Sequence, residues 1–244
     1  MRVLVLQHIA VEHPGVFRDF LAADGIPWDA VELDQGEEIP PLDGYDVLCV
    51  MGGPMDTWQE DAYPWLVAEK RAIREAVRER GMPVLGVCLG AQLLAEAVGG
   101  EVGPMAAPEL GVRDIELTAK GRQDPLFAGV ESRFETLQWH SYEVTRLPPD
   151  GRVLACNAGC AIQVFAVGAT AYGLQGHLEQ TARTVPEWGQ VPEYATALEA
   201  ALGQGALGRL EAEISSRLEG FNSVARRLYD NFIGLAARVS ASAP

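Results

Sequence analysis

Gly86-Val87-Cys88-Leu89-Gly90 ends an apolar run and opens a helical one. A strand that turns sharply into a helix holds its turn residue strained and exposed above the sheet edge, and the close approach of strand and helix requires small neighbours. Cys88 sits at that turn with a glycine two residues away on each side. The N-terminus of the following helix puts positive partial charge beside the thiol and favours the thiolate. The backbone N–H of Leu89 then points toward a developing oxyanion. The pattern predicts a nucleophilic cysteine. The plainer alternative is a small residue buried in a tight turn.

A nucleophilic cysteine needs a base, and the base needs an orienting acid. The histidines are His8, His13, His140 and His177. His177 and Glu179 follow a strand-like run over 171–176, and their spacing puts them on one side of an extended chain. Glu179 would then hold the imidazole tautomer and stabilise the imidazolium. His140 ends another apolar strand, Glu135-Thr136-Leu137-Gln138-Trp139-His140, and competes for the role of base. His8 and His13 read as surface or structural residues. Gly52-Gly53-Pro54 closes a further strand, where glycines let backbone approach a ligand and free a second N–H. Cys156-Asn157-Ala158-Gly159-Cys160 tempts a metal reading, but no second ligand pair accompanies it. A turn between strands is the better account, and neither metal nor cofactor is called for.

The elements that must position these residues alternate. Strand patterns cover 2–9, 28–33, 45–51 and 83–87, and helical patterns cover 14–24, 63–80 and 89–98. Such alternation predicts βαβ units and a mostly parallel sheet with helices on both faces. Short β-like runs at 111–117, 135–140, 152–155, 161–167 and 171–176 predict extra strands, some antiparallel, in the same sheet. Beyond residue 179 the pattern turns helical, with residues 221–223 as a break in a long helix over 207–239. The reading is an α/β domain over 1–185 and a helical C-terminal extension over 186–244, packed on or beside it.

The chain has 244 residues and a net charge of −15, which repels nucleic-acid backbone and anionic lipid. The charged stretch 69–80 alternates in sign and reads as a solvated helix face. The N-terminus runs straight into strand-like sequence, unlike a signal peptide, and no apolar run is of membrane-spanning length. Four cysteines in a chain this long suggest reduced thiols and a cytoplasmic protein.

Residues 51–55 (MGGPM), 86–100 (GVCLGAQLLAEAVGG), 138–149 (QWHSYEVTRLPP) and 172–179 (YGLQGHLE), in this order and spacing, resemble class I glutamine amidotransferases. Within that group the chain looks most like stand-alone proteins similar to the amidotransferase domain of GMP synthase. The resemblance covers roughly residues 1–185 and implies a flavodoxin-like open sheet. It implies hydrolysis of the glutamine side-chain amide, with ammonia passed to an acceptor. Carried over, the nucleophile is Cys88, the base His177 and the orienting acid Glu179. The oxyanion donors are the N–H groups of Gly53 and Leu89. Gln92, Ser141, Tyr142 and Gly52 match substrate-binding positions, and His140 becomes a pocket-edge residue.

Two features depart from the family pattern. An aromatic residue usually precedes the catalytic histidine and a proline follows it; here Gly176 and Leu178 stand there. Losing the ring and the φ restraint predicts a looser strand end around His177. No ATP-pyrophosphatase domain or P-loop accompanies the motifs, so an ammonia acceptor would be a separate synthetase subunit. A γ-glutamyl peptidase or hydrolase using the same triad is an alternative. A non-catalytic regulatory or binding subunit is another, with 207–239 as its partner helix. The expected ligand is glutamine or another γ-glutamyl small molecule; neither nucleic acid nor membrane is expected, and a homo-oligomer is compatible with the sequence.

Overall fold

The computed structural model describes residues 1–242. Four parallel strands, Val3–Gln7 (β1), Trp28–Glu32 (β2), Val47–Val50 (β3) and Val84–Val87 (β4), alternate with the helices Phe17–Ala23 (α1), Trp65–Arg74 (α2) and Leu89–Ala97 (α3). The strands Glu101–Leu117 (β5), Arg133–Arg146 (β6), Gly151–Cys156 (β7), Val164–Val167 (β8) and Ala171–Leu174 (β9) complete a sheet of order β2-β1-β3-β4-β9-β8-β7-β5-β6. β9 lies parallel to β4, and the pairings from β9 through β8, β7 and β5 to β6 are antiparallel. The chain ends in Thr184–Trp188 (α4), Pro192–Leu202 (α5) and Ala206–Ser242 (α6).

Strand alternation feeds two cores. Val3 and Val5 point to one face, where they meet Phe17, Leu228 and Phe232 from α1 and α6. Leu4 and Leu6 point to the other, with Leu66, Ile73 and Leu93 from α2 and α3. Helices on both faces of an open α/β sheet are the architecture that the alternating pattern implies. Ligands in such sheets bind outside the carboxyl ends of the strands, where the connections diverge. Here β1 connects outward to β2 on one side and the chain resumes at β3 on the other.

One expectation is corrected, and one stretch without an assigned element gains one. Residues 101–110 belong to β5 despite Gly103, Pro104 and Pro108. The register shifts between Pro104 and Glu109, and β7 pairs only with Glu116 and Leu117, so this stretch behaves as an edge that tolerates proline. The long C-terminal helix does not break at residues 221–223. Phe221, Ala225, Leu228, Phe232 and Leu235 form one buried stripe on the sheet core, and that packing carries the helix through. Despite its 37 residues, α6 is not apolar enough to cross a membrane, and among the described residues no other helix is long and apolar enough either.

The two glycines around Cys88 answer to contact. A β-carbon on Gly90 would lie 2.0 Å from the Val50 carbonyl oxygen, and one on Gly86 would lie 2.4 Å from the Gly90 carbonyl oxygen. Gly90→Ala should therefore lower stability by about 3 kcal/mol in urea unfolding, as overpacking does. Gly220, in α6, has open space around it. Gly220→Ala should raise stability by about 0.5–1 kcal/mol through helix propensity.

Candidate active site

Cys88 is the N-cap of α3 and has φ 51° and ψ −109°. It is the one non-glycine residue with positive φ among the described residues. Its amide donates to the Leu174 carbonyl at the end of β9, and Gln175 Nε2 lies 3.8 Å from its Sγ. A strained turn between β4 and a helix N-terminus is what the glycine-flanked motif predicts.

His177 and Glu179 meet as the spacing predicts. His177 Nδ1 lies 2.6 Å from Glu179 Oε1, and both side chains are buried. Burial by itself would lower the His177 pKa, but Glu179 and Cys88 outweigh it and hold the group well above its usual value. Burial would raise Glu179; its neighbour His177 and the local hydrogen bonds keep it below the usual carboxylate range. Nδ1 faces Glu179, which leaves Nε2 for Cys88. The Trp188 ring packs edge-on against the imidazole at 4.6 Å between centroids.

The strand end is not loose. His177 exchanges two backbone hydrogen bonds with Leu137 of β6, so the antiparallel half of the sheet curls back to hold it. Gly176 has no space to spare: a β-carbon there would lie 2.3 Å from Gln138 Nε2 and 2.8 Å from Thr136 Oγ1. Leu178 contributes an N–H that donates to Glu179 Oε2 at 2.9 Å, a bond that proline could not make. The glycine and the leucine replace one set of restraints with another.

His8 takes the structural one of the two roles expected of it. It is fully buried, with Nδ1 2.7 Å from the Gly52 carbonyl and Nε2 2.9 Å from Glu69 Oε1. Burial lowers its pKa, but Glu69 outweighs that and the net shift is upward. The Gly52 carbonyl and the Gly53 N–H share one trans peptide and point opposite ways. Holding Gly52 O toward His8 thus turns the Gly53 N–H away from it. Among the described residues that amide has no acceptor, and Gly53 lines a pocket together with Cys88 and Leu89.

The pocket has a volume of about 510 Å³. Of the residues that the resemblance assigns to the substrate, Gln92, His140, Ser141 and Tyr142 line it, whereas Gly52 does not and turns its carbonyl to His8. Gln92 Nε2 donates to the Tyr142 carbonyl and to Gln175 Oε1. His140 Nδ1 lies 2.9 Å from the Tyr142 carbonyl at the pocket edge, and Nε2 lies 3.4 Å from Glu109 Oε2 without a hydrogen bond. Ser141 is exposed at the mouth, where Trp58 packs against Tyr142 at 4.5 Å. Cys156 and Cys160 are free thiols; between them Asn157 caps the turn and donates to Glu109.

Sequence reasoning missed one whole wall. Glu193, Tyr194, Ala197, Ala200 and Ala201 of α5 line the pocket. It also missed Glu12, a buried acid in the β1–α1 loop bonded to Tyr194. The signal available was its place just after the first parallel strand, whose carboxyl end opens on the site.

The open α/β sheet carries Cys88 at a strand–helix elbow and a buried His177–Glu179 pair just beyond the adjoining strand. The chain belongs to the glutamine amidotransferase class-I family, whose pattern matches residues 21–187. It is 36% identical over 191 residues to the glutamine amidotransferase-like protein YfeJ of Salmonella typhimurium, covering 76% of this chain and 78% of that one. It is 32% identical over 165 residues to the glutamine-hydrolyzing GMP synthase of Aeropyrum pernix, covering 68% of this chain but only 28% of the synthase. It is 25% identical over 170 residues to γ-glutamyl peptidase 3 of Arabidopsis thaliana, covering 67% of each chain. The crystal structure of a glutamine amidotransferase from Thermotoga maritima superposes with a TM-score of 0.86 at 26% identity, covering 96% of this chain and 98% of that one.

The backbone strain at Cys88 is measurable. Glycine adopts that φ freely, so Cys88→Gly should be more stable than the native chain by about 1 kcal/mol in urea unfolding. Cys88→Ser, which keeps the β-carbon, should show no such gain.

Proposed function

We propose that the chain hydrolyses the side-chain amide of glutamine through a γ-glutamyl thioester on Cys88. The observation that carries this is the strained Cys88 at the α3 N-terminus, beside the buried His177–Glu179 pair and facing the pocket. The thiolate attacks the γ-carbonyl carbon, and the Gly53 and Leu89 amides receive the oxyanion. As the C–N bond breaks, His177 gives its proton to the departing ammonia. His177 then takes a proton from water, which attacks the thioester, releases glutamate and restores the thiolate. Glu179 holds the imidazole tautomer throughout. Gln92, Ser141, Tyr142 and His140 shape the substrate end of the pocket.

In this reading residues 1–185 carry the hydrolase, and the extension over 186–244 walls its pocket. The ammonia goes to an acceptor enzyme on another chain. The long GMP synthase relative, of which the match spans little more than a quarter, supports such a partner. The reducing cytoplasm would keep Cys88 a thiol.

One observation favours a second reading, cleavage of a γ-glutamyl amide larger than glutamine. A pocket of about 510 Å³ is of the size that takes drug-sized ligands, and its α5 wall presents three alanines. The peptidase relative fits the same substrate class.

Glutamate release should be measured from glutamine and from a γ-glutamyl dipeptide side by side. Turnover of glutamine should be present and fall at least about 1,000-fold in Cys88→Ala, which should fold normally. Preference for the dipeptide would move the assignment to a γ-glutamyl peptidase. Inertness toward both, or an active Cys88→Ala, would overturn the hydrolase reading.

A further inference from the structure

The core around His177 holds a second carboxyl that the proposed reaction does not use. Glu12 is buried in the β1–α1 loop. Its Oε1 accepts a hydrogen bond from the Tyr194 hydroxyl at 2.6 Å. Its Oε2 is buried and has no hydrogen-bond partner among the described residues. A buried polar atom without a partner is costly, and native folds keep few of them without a use.

The free oxygen faces the imidazole. A β-carbon built on Gly52 would lie 2.5 Å from Glu12 Oε2 and 3.2 Å from His177 Cε1, so both groups crowd the same side of that glycine. Ligating atoms of Glu12, His177 and Glu179 lie within 4.8 Å of one another. The cluster has the donor set for a cation, but a protonated imidazole has no lone pair to offer one. It has instead a positive charge spread over Cε1 and both ring nitrogens. Glu179 meets that charge through Nδ1.

We propose that Glu12, held by Tyr194, is a positioning residue of the catalytic centre that supports the His177 imidazolium from its Cε1 edge. The inference rests on the proposed Cys88–His177 reaction. It gives the α5 wall a part in the chemistry: Tyr194 fixes the acid that steadies the base. His177 carries a proton when Cys88 attacks and again after it has deprotonated water, so support for the charged ring acts in both halves of the reaction.

The titratable groups that face Glu12 are His177 and Glu179 beyond β9, His8 after β1, and Tyr194 of α5. Cys88 and Glu193 in turn face Tyr194. Burial raises the Glu12 pKa; His177 and Tyr194 oppose this, and the net shift is upward. Glu12 therefore gains its charge at higher pH than an ordinary glutamate. Once charged, it helps His177 keep its proton as the pH rises further. Removing that charge must lower the pH at which His177 deprotonates.

Glu12→Gln tests this in the full chain, because glutamine keeps the volume and still accepts from Tyr194. The His177 Cε1–H resonance, assigned with His177→Gln, is titrated by NMR, and kcat and KM are measured beside it. The proposal expects the His177 pKa to fall by about one unit. It expects kcat to fall about 10- to 100-fold, with KM changed less than about threefold, as for a misplaced base. Tyr194→Phe should move the His177 pKa in the same direction by less, and it serves as the test should Glu12→Gln not fold. An unchanged His177 pKa in a folded variant overturns the proposal. If the native chain turns over neither substrate, the hydrolase reading fails by itself, and the His177 titration still decides the role of Glu12.

Discussion

His177 and Glu179 face each other across 2.6 Å with almost no contact with solvent. Charge in such a place is tolerated only when the remaining lone pairs are met, and breaking a buried pair is far more costly than its presence is stabilising. Much of the surrounding structure follows from that demand. Glu179 Oε2 receives the Leu178 N–H, and the Glu179 carbonyl receives the Val16 N–H at the start of α1. The His177 backbone is tied to β6 on the far side of the sheet, and Gln180 donates back to the His177 carbonyl. Trp188 closes over the ring, with Trp139 and Tyr194 packed behind it. Helix, hairpin and C-terminal arm thus converge on one ion pair.

The parallel half of the fold was legible because its signals are local. Val3–Gln7 and Val84–Val87 are short, largely apolar runs, and each is followed by a helical pattern. The meeting of His177 and Glu179 was legible from a spacing of two in extended chain, and the strained turn at Cys88 from its glycines. What stayed hidden depends on contacts distant in sequence. The sequence left His8 as surface or structural; the choice is made by the carboxyl end of β1, which lies inside the sheet between β2 and β3, where Glu69 and Gly52 reach it. The alanines of α5 and the acid at Glu12 carry no pattern of their own; only the docking of the C-terminal arm makes them neighbours of the pocket.

Gly176 and Leu178 show how a departure from a family pattern is absorbed. Read alone, they remove a ring and a φ restraint next to the histidine. In the fold, Gln138 occupies the space beside Gly176 and joins Thr136 and Gln163 in a buried network that ends on Glu109. Glu109 in turn lies under His140 at the pocket edge. Hydrogen-bonded amides have taken over work that packing and a ring constraint do elsewhere, and they link the floor beneath His177 to the pocket rim.

The wall formed by α5 also orders events in time. Cys88, His177 and Glu179 all leave the ribosome before Trp188 and Tyr194, and well before α6 covers the sheet face that holds Val3 and Phe17. Chains emerge at about 5–20 residues per second, so for several seconds the nascent protein holds its thiol and an apolar sheet face without their lid. The vulnerable species for oxidation and for sticking to other chains is therefore the unfinished polypeptide, and α6 is the helix that ends the exposure.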